Sequence, residues 1–317
     1  MAQRSWSQGE KLTLIELPDP VPRGGEVRVR VKAVGVNPVD WKMRQQGPLR
    51  LAARLVGPPP PVVVGVDFAG VVDAVGGDVR DLQPGDRVVG ATDFSRGQRG
   101  SHADTVLVRA DQVCPLPDAV PFDVAAALPV AGVTAWRSVV QLGRITPGKR
   151  ALILGASGGV GQLAVQVSKR VQGAFTVGVC STRNVELVRS LGADVVVDYH
   201  AGNPLEQARA HGPFDVVVDC VGSYSGAGCR SLLARGGRHI MVAGDSPTAA
   251  LQALVPPFSS RLMLGRPDGA WLRPLVSAVA AGTVTVNIAQ RFPLTQAEDA
   301  HQLSQGGRVT GKIVLVV

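Results

Sequence analysis

Residues 151–161 read Ala-Leu-Ile-Leu-Gly-Ala-Ser-Gly-Gly-Val-Gly. Ala151 to Leu154 form an unbroken apolar run, as expected of a parallel strand covered on both faces. Gly155, Gly158, Gly159 and Gly161 follow, and Gln162 to Arg170 then carries apolar residues at helical spacing. A strand that turns directly into a helix collects unpaired backbone N–H groups and the positive end of the helix dipole at one place. A pyrophosphate is held there when no side chain obstructs the backbone, a condition glycine meets because it lacks a Cβ. The expected anion cradle comprises Gly155, Ser157, Gly158, Gly159, Val160 and Gly161. Its spacing is G-x-x-G-x-x-G, less specific than G-x-G-x-x-G, so a glycine-rich turn without a ligand is the competing reading.

Working outward, Ala174–Cys180 (AFTVGVC) falls where the second strand of a βαβ unit belongs. Sites that select NAD usually place Asp or Glu near the end of that strand, to hold the ribose 2′-hydroxyl. Here the position holds Cys180, Ser181, Thr182 and Arg183, with no carboxylate before Glu186. Hydroxyls and a guanidinium suit a 2′-phosphate, which an acidic side chain would repel. Ser181 and Arg183 therefore predict NADP(H) over NAD(H). The plainer alternative for Arg183 is an exposed arginine at a helix start.

The segments on either side differ in character. From about Pro121 helices and strands alternate. Helices are expected at Thr134–Leu142, Asn184–Leu191 and Trp271–Ala281, and strands at Asp194–Val197, Phe214–Asp219, Gly237–Val242 and Arg261–Leu264. Such alternation implies a doubly wound parallel sheet of the Rossmann type. Residues 10–117 are instead rich in β-type runs, at Lys11–Leu17, Glu26–Val36, Phe68–Val75, Arg87–Gly90 and Ala103–Val108. Turns such as Pro22-Arg23-Gly24-Gly25 and Pro84-Gly85-Asp86 separate them. A partly open barrel is expected there, with Pro58–Pro61 as a rim loop. After Val284 come short β-runs around one helix (Gln296–Ser304), and the closing strand Gly311–Val317 is expected to rejoin the barrel.

At 317 residues, 45% hydrophobic and 18% charged, the chain is long enough for two domains with buried cores. No apolar run approaches the ~18–20 residues of a membrane span. The N-terminus lacks the apolar core of a signal peptide, so cytoplasmic residence is expected. The net charge of +8 comes from scattered arginines without an aromatic platform beside them, which argues against a nucleic-acid partner. Cys114, Cys180, Cys220 and Cys229 are too widely spaced for a zinc knuckle or a C-x-x-C pair and read as free thiols.

Several segments, taken in order, resemble a known family. They are Val34-Gly35-Val36-Asn37-Pro38-Val39-Asp40-Trp41-Lys42, Gly65-Val66-Asp67-Phe68-Ala69-Gly70, Pro84-Gly85-Asp86-Arg87-Val88, Val130-Ala131-Gly132-Val133-Thr134-Ala135-Trp136, the Gly155–Gly161 turn and Gly311-Lys312-Ile313-Val314. Together they resemble the medium-chain dehydrogenase/reductase superfamily, in its zinc-free quinone oxidoreductase branch. The resemblance implies an α/β fold, with a GroES-like, partly open β-barrel (residues 1–117 and 284–317) and a Rossmann domain (residues 118–283). It also implies NADPH as cofactor, and hydride transfer to a quinone or to the C=C bond of an α,β-unsaturated carbonyl compound. An enoyl-thioester reductase of lipid or polyketide assembly is one alternative. An NADPH-binding protein without a catalytic task, structural or RNA-binding, is the other.

The same resemblance assigns roles. Zinc relatives need a cysteine, a His-Glu pair and a further cysteine, where this chain has Asn37, Val66, Asp67 and Ala131, so no metal is expected. Asn37 and Lys42 become the candidates for stabilising the developing enolate oxygen, Asn37 also lying beside the nicotinamide and Lys42 also able to supply a proton. Asp40 more simply caps that turn. The only tyrosines are Tyr199 and Tyr224, which excludes a tyrosine acid from the first domain and leaves protonation to water. Thr134 and Val160 are expected near the nicotinamide, Tyr199 near the adenosine phosphate, and Ala243-Gly244 at the carboxamide. A homodimer is expected, with the strand around Ser260–Leu264 as its sheet edge.

Overall fold

The computed structural model describes residues 1–7, 9–45, 48–242, 260–263 and 268–317. The chain divides into two units, Met1–Val130 with Arg266–Ala280 and Ile288–Val317, and Ala131–Gly265 with Ala281–Asn287.

In the second unit, six strands lie in the order Val195–Asp198, Phe175–Cys180, Arg150–Leu154, Phe214–Asp219, Leu233–Met241, Ser260–Leu262. Every neighbouring pair is parallel. The chain enters at the central strand Arg150–Leu154, winds outward to one side, then returns to Phe214–Asp219 and winds to the other. The C-terminal ends of those two central strands therefore form the topological switch point, where open α/β sheets bind ligands. Leu152, Leu154, Val177, Val179, Phe214 and Val217 pack into one core, which is why these strands read as continuous apolar runs. The helix Gly161–Gln166 continues as a π-helical segment, Val167–Val171, and the helix Pro129–Trp136 does the same through Arg137–Leu142.

The first unit is built on a sheet ordered Ile288–Pro293, Lys312–Val316, Glu26–Val36, Asp67–Val75, Arg87–Ala91, Val113–Pro115, with Thr105–Arg109 also paired to Glu26–Val36. The closing strand thus joins the barrel across antiparallel pairing of Ile313 with Val36 and Leu315 with Val34. Val27, Val29, Val31, Phe68, Val72, Val88, Val106 and Leu315 alternate inward to form its core. Gly35 is required on packing grounds, since a Cβ there would come within 2.2 Å of the Ala126 carbonyl oxygen.

Three features differ from the sequence reading. Lys11–Leu17 forms no strand, its only pairing being a single bridge from Thr13 to Ala2. Helices also form at Pro48–Val56, Pro204–Arg209 and Gly226–Arg230. The strand expected at Gly237–Val242 begins earlier, at Leu233.

Candidate functional site

In the second unit the turn after Leu154 has the shape its glycines require. Gly155 adopts φ +75°, in the left-handed region. A Cβ on Gly161 would come within 2.1 Å of the Gly155 carbonyl oxygen, so the helix start can fold back on the strand end only with glycine there. The Gly158 N–H donates to Gly155 O at 3.0 Å, closing the turn. Ser157 to Val160 are half-buried, leaving one side of the loop open, while Gly161 is buried.

Ser181 lies at the end of the neighbouring strand, and Asn184 joins it to the loop. The Asn184 side-chain amide donates to Ser157 Oγ at 2.9 Å and to Ser181 Oγ at 3.2 Å. Asn184 is therefore a site residue that the sequence reading did not single out; nothing in local spacing marks it. Arg183 and Thr182 are exposed beside it. The next strand contributes Asp198 opposite Cys180, followed by exposed Tyr199, whose ring meets His200 at 4.5 Å between centroids. Parallel pairing thus brings a carboxylate to the Ser181–Arg183 segment that no linear reading showed. The Thr182 hydroxyl, with the His200 N–H, holds the Asp198 carboxyl below its ordinary pKa. Burial, reinforced by Asp198, raises the Cys180 thiol to about 11, which makes it an inert neighbour. Thr134 is buried on the helix Pro129–Trp136. Ala243 and Gly244 lie outside the described residues.

In the first unit, the strand end at Val36 and the short helix Pro38–Lys42 assemble a buried polar cluster. The Asn37 amide nitrogen donates to Asp67 Oδ2 at 2.8 Å and, at a long 3.4 Å, to Gly35 O. Its carbonyl oxygen accepts from Lys312 Nζ at 2.5 Å, and Lys312 also donates to Val36 O at 3.1 Å. The second Asp67 oxygen accepts from the Val130 N–H at 3.0 Å. Asp40 Oδ2 accepts from the Asn37 N–H at 2.7 Å, the capping arrangement read from the sequence. Burial raises Asp40 to about 8 and Asp67 to about 6, and lowers Lys312. Burial is opposed at both aspartates by the Lys312 charge. Asn37 is thus engaged at both ends of its amide. Lys42 is half-buried at the helix end, its Nζ 5.5 Å from the Trp41 ring centroid.

These residues do not fit a zinc ion. The positions that would ligate zinc offer Asn37, Val66, Asp67 and Ala131, with neither thiolate nor imidazole, and the Lys312 ammonium stands 3.7 Å from Asp67 Oδ2 as the local positive charge. Lys312 and Asp67 were legible only as parts of motifs. Their contact joins positions hundreds of residues apart.

Comparison with known proteins identifies the family. The family model "alcohol dehydrogenase GroES-like domain" matches residues 23–118, and "zinc-binding dehydrogenase" matches residues 191–315. The chain is 31% identical to the mouse (Mus musculus) mitochondrial NAD(P)H oxidoreductase RTN4IP1, over 98% of this chain and 85% of the relative. It is 34% identical to 2-methylene-furan-3-one reductase of Solanum lycopersicum, over 92% of this chain and 71% of the relative. The solved structure of the quinone oxidoreductase from Coxiella burnetii superposes with a TM-score of 0.89 at 28% identity, covering 100% of this chain and 98% of that one.

Proposed function

Since the chain belongs to the medium-chain dehydrogenase/reductase superfamily, in its quinone oxidoreductase branch, we propose that it is an NADPH-dependent, zinc-independent reductase of quinones or of the C=C bond of α,β-unsaturated carbonyl compounds. The chain is an oxidoreductase that uses a nicotinamide cofactor. The observation that carries the finer reading is the glycine turn at the switch point, tied by Asn184 to the strand end that bears Ser181 and Arg183.

When bound, the reduced dinucleotide supplies a hydride, two electrons and a proton nucleus, to the electrophilic carbon of the substrate. The chain's own groups do the rest. Backbone N–H groups of the Gly155–Gly161 turn hold the pyrophosphate. Val160 and Thr134 serve the nicotinamide end. Ser181, Arg183 and Tyr199 receive the adenosine 2′-phosphate, Arg183 as a charged fork and Ser181 as a hydroxyl donor. Thr182 hydrogen-bonds to the nearby Asp198 and keeps that carboxylate ionised, so the Arg183 charge has to offset its repulsion of the phosphate. Ala243 and Gly244 are kept as the proposed carboxamide contacts.

In the barrel unit Lys42 is the proposed electrostatic partner of the enolate oxygen. Asn37 completes the catalytic pair. Its amide plane is fixed between Lys312 and Asp67, so any donation to cofactor or substrate comes from the N–H that now makes the long bond to Gly35 O. Water then protonates the α-carbon. The enzyme is taken to act as a cytoplasmic homodimer. The reading is tested by NADPH oxidation over a panel of quinones, enones and enoyl thioesters. Turnover of quinones or enones is expected. Activity confined to enoyl thioesters, or none above background with NADPH bound, would overturn it.

A further inference from the structure

Among the described residues, two buried clusters place three metal-ligating side chains together, Asp40–His102–His301 in the first unit and Asp219–Cys229–His239 in the second. Their surroundings separate them. At the first, Arg44 Nη1 lies 2.9 Å from His301 Nδ1. A guanidinium can only donate, so that ring nitrogen accepts and the proton of neutral His301 sits on Nε2. The nitrogen left over is then not a ligand. The N-terminal ammonium, which donates to His102 O at 2.5 Å, adds a second cation. A divalent ion there would meet two positive charges.

The second cluster sets a carboxylate and a thiol beside the imidazole. Among the described residues one cation lies nearby, Arg230, whose Nη1 donates to Ser260 Oγ at 3.3 Å. We propose that Asp219, Cys229 and His239 form a binding site for a thiophilic divalent cation of the zinc type. All three are buried, and their ligand atoms lie within 4.8 Å of one another. They come from three elements, the end of the strand Phe214–Asp219, the helix Gly226–Arg230 and the strand Leu233–Met241. That dispersal is why cysteine spacing showed no metal motif.

Each ligand is already held by outer contacts. Asp219 Oδ1 accepts from the Val221 and Gly222 N–H groups, both at 2.9 Å, which fixes the carboxylate. His239 Nδ1 lies 3.1 Å from Ser260 Oγ. When Nδ1–H donates to that hydroxyl, the lone pair sits on Nε2, the arrangement in which metal-bound imidazoles are usually found. Nε2 is buried and has no hydrogen-bond partner among the described residues, an orphan that coordination would satisfy. One carboxylate, one thiolate and a neutral imidazole balance a divalent charge, so the loaded site is neutral in a dry core. Thiolate selects zinc-like ions over magnesium or calcium. Without the ion, burial keeps the Cys229 thiol protonated, raised to about 12, and lowers His239 to about 4. Binding therefore releases the thiol proton to solvent as the sulfur–metal bond forms.

The site lies within the second unit and takes no part in the proposed hydride step. It is structural. Val221, whose N–H anchors Asp219, is also the residue a Cβ on Gly155 would strike at 2.8 Å, so the ion would brace the glycine turn from behind.

The test is a titration of the untagged, metal-free full chain with Co2+, followed by absorption, then displacement by Zn2+. One Co2+ per chain is expected, with a thiolate-to-cobalt charge-transfer band and visible d–d bands whose intensity reports the coordination number. Zn2+ should erase both and raise Tm. Cys229→Ala should abolish the charge-transfer band, Cys220→Ala should leave it, and His239→Gln should weaken binding by about tenfold or more. Failure of the wild-type chain to take up stoichiometric Co2+, or a charge-transfer band that survives Cys229→Ala, overturns the assignment. Neither result bears on NADPH oxidation.

Discussion

Replacing Arg183 by alanine removes the one guanidinium in the segment proposed to receive the 2′-phosphate. A charge-assisted hydrogen bond contributes about 1.5–3 kcal/mol, so the NADPH Kd should rise about 10- to 100-fold. The NADH Kd should be unchanged, and fluorescence titration of the variant with each cofactor distinguishes the two. The Asp67–Lys312 pair permits a second residue-level prediction. Both side chains are buried, so Lys312→Met strands a carboxylate in the barrel core, at a cost of about 3–5 kcal/mol. The double variant Asp67→Asn with Lys312→Met should recover most of the loss, because no charge is then left without its counterpart. Denaturant midpoints of the single and double variants read this directly. Equal midpoints for the two would refute a charge-pair role.

The turn Gly155–Gly161 provides its own internal control. A Cβ at Gly161 collides with the Gly155 carbonyl oxygen, whereas at Gly158 the nearest atom stands 3.4 Å away, an ordinary contact. Gly161→Ala should therefore displace the helix start and weaken NADPH binding at least about tenfold, with overpacking of about 1–3 kcal/mol. Gly158→Ala should keep the fold's stability, measured as Tm. Much of the element structure was legible for the same reason this contrast exists, that local chemistry and backbone shape agree. Glu26–Val36 and Phe214–Asp219 keep the bounds read from their apolar patterns. The strand expected at Lys11–Leu17 failed because its alternation finds only a single bridge partner. The helix Pro48–Val56 was missed although its apolar residues share one face, because it is only nine residues long and ends just before the Pro58–Pro61 run. At the site, the glycines and Ser181 could be read, but Asn184, Asp198 and Lys312 could not. Their roles arise from strand pairing and long-range contacts that leave no local signature.

Over the whole molecule, buried titratable groups make stability depend on pH from both sides. Folded Asp40 keeps its proton to about pH 8, against an ordinary value of 3.8. The folded chain binds more protons across that window, so this contribution to stability is lost as pH rises through it. His301 and His239 act in the opposite sense, at about 3 and about 4 when folded against 6.5 ordinarily. There the unfolded chain binds more protons, and stability is lost as pH falls below about 6.5. Tm plotted against pH should therefore decline on both limbs. Asp40→Asn should flatten the alkaline limb and His301→Gln the acid one; unchanged limbs would contradict these assignments. Among the described residues the strand Ser260–Leu262 ends the parallel sheet, and the proposed homodimer predicts a light-scattering mass of twice the 33.0 kDa chain mass. The central claim, that the glycine turn holds a phosphorylated dinucleotide, is tested most directly by fluorescence titration of the wild-type chain with NADPH and with NADH. Saturable binding of one NADPH per chain, at least about tenfold tighter than NADH, is the result expected from Ser181 and Arg183. No saturable binding, or equal affinity for the two, would contradict it.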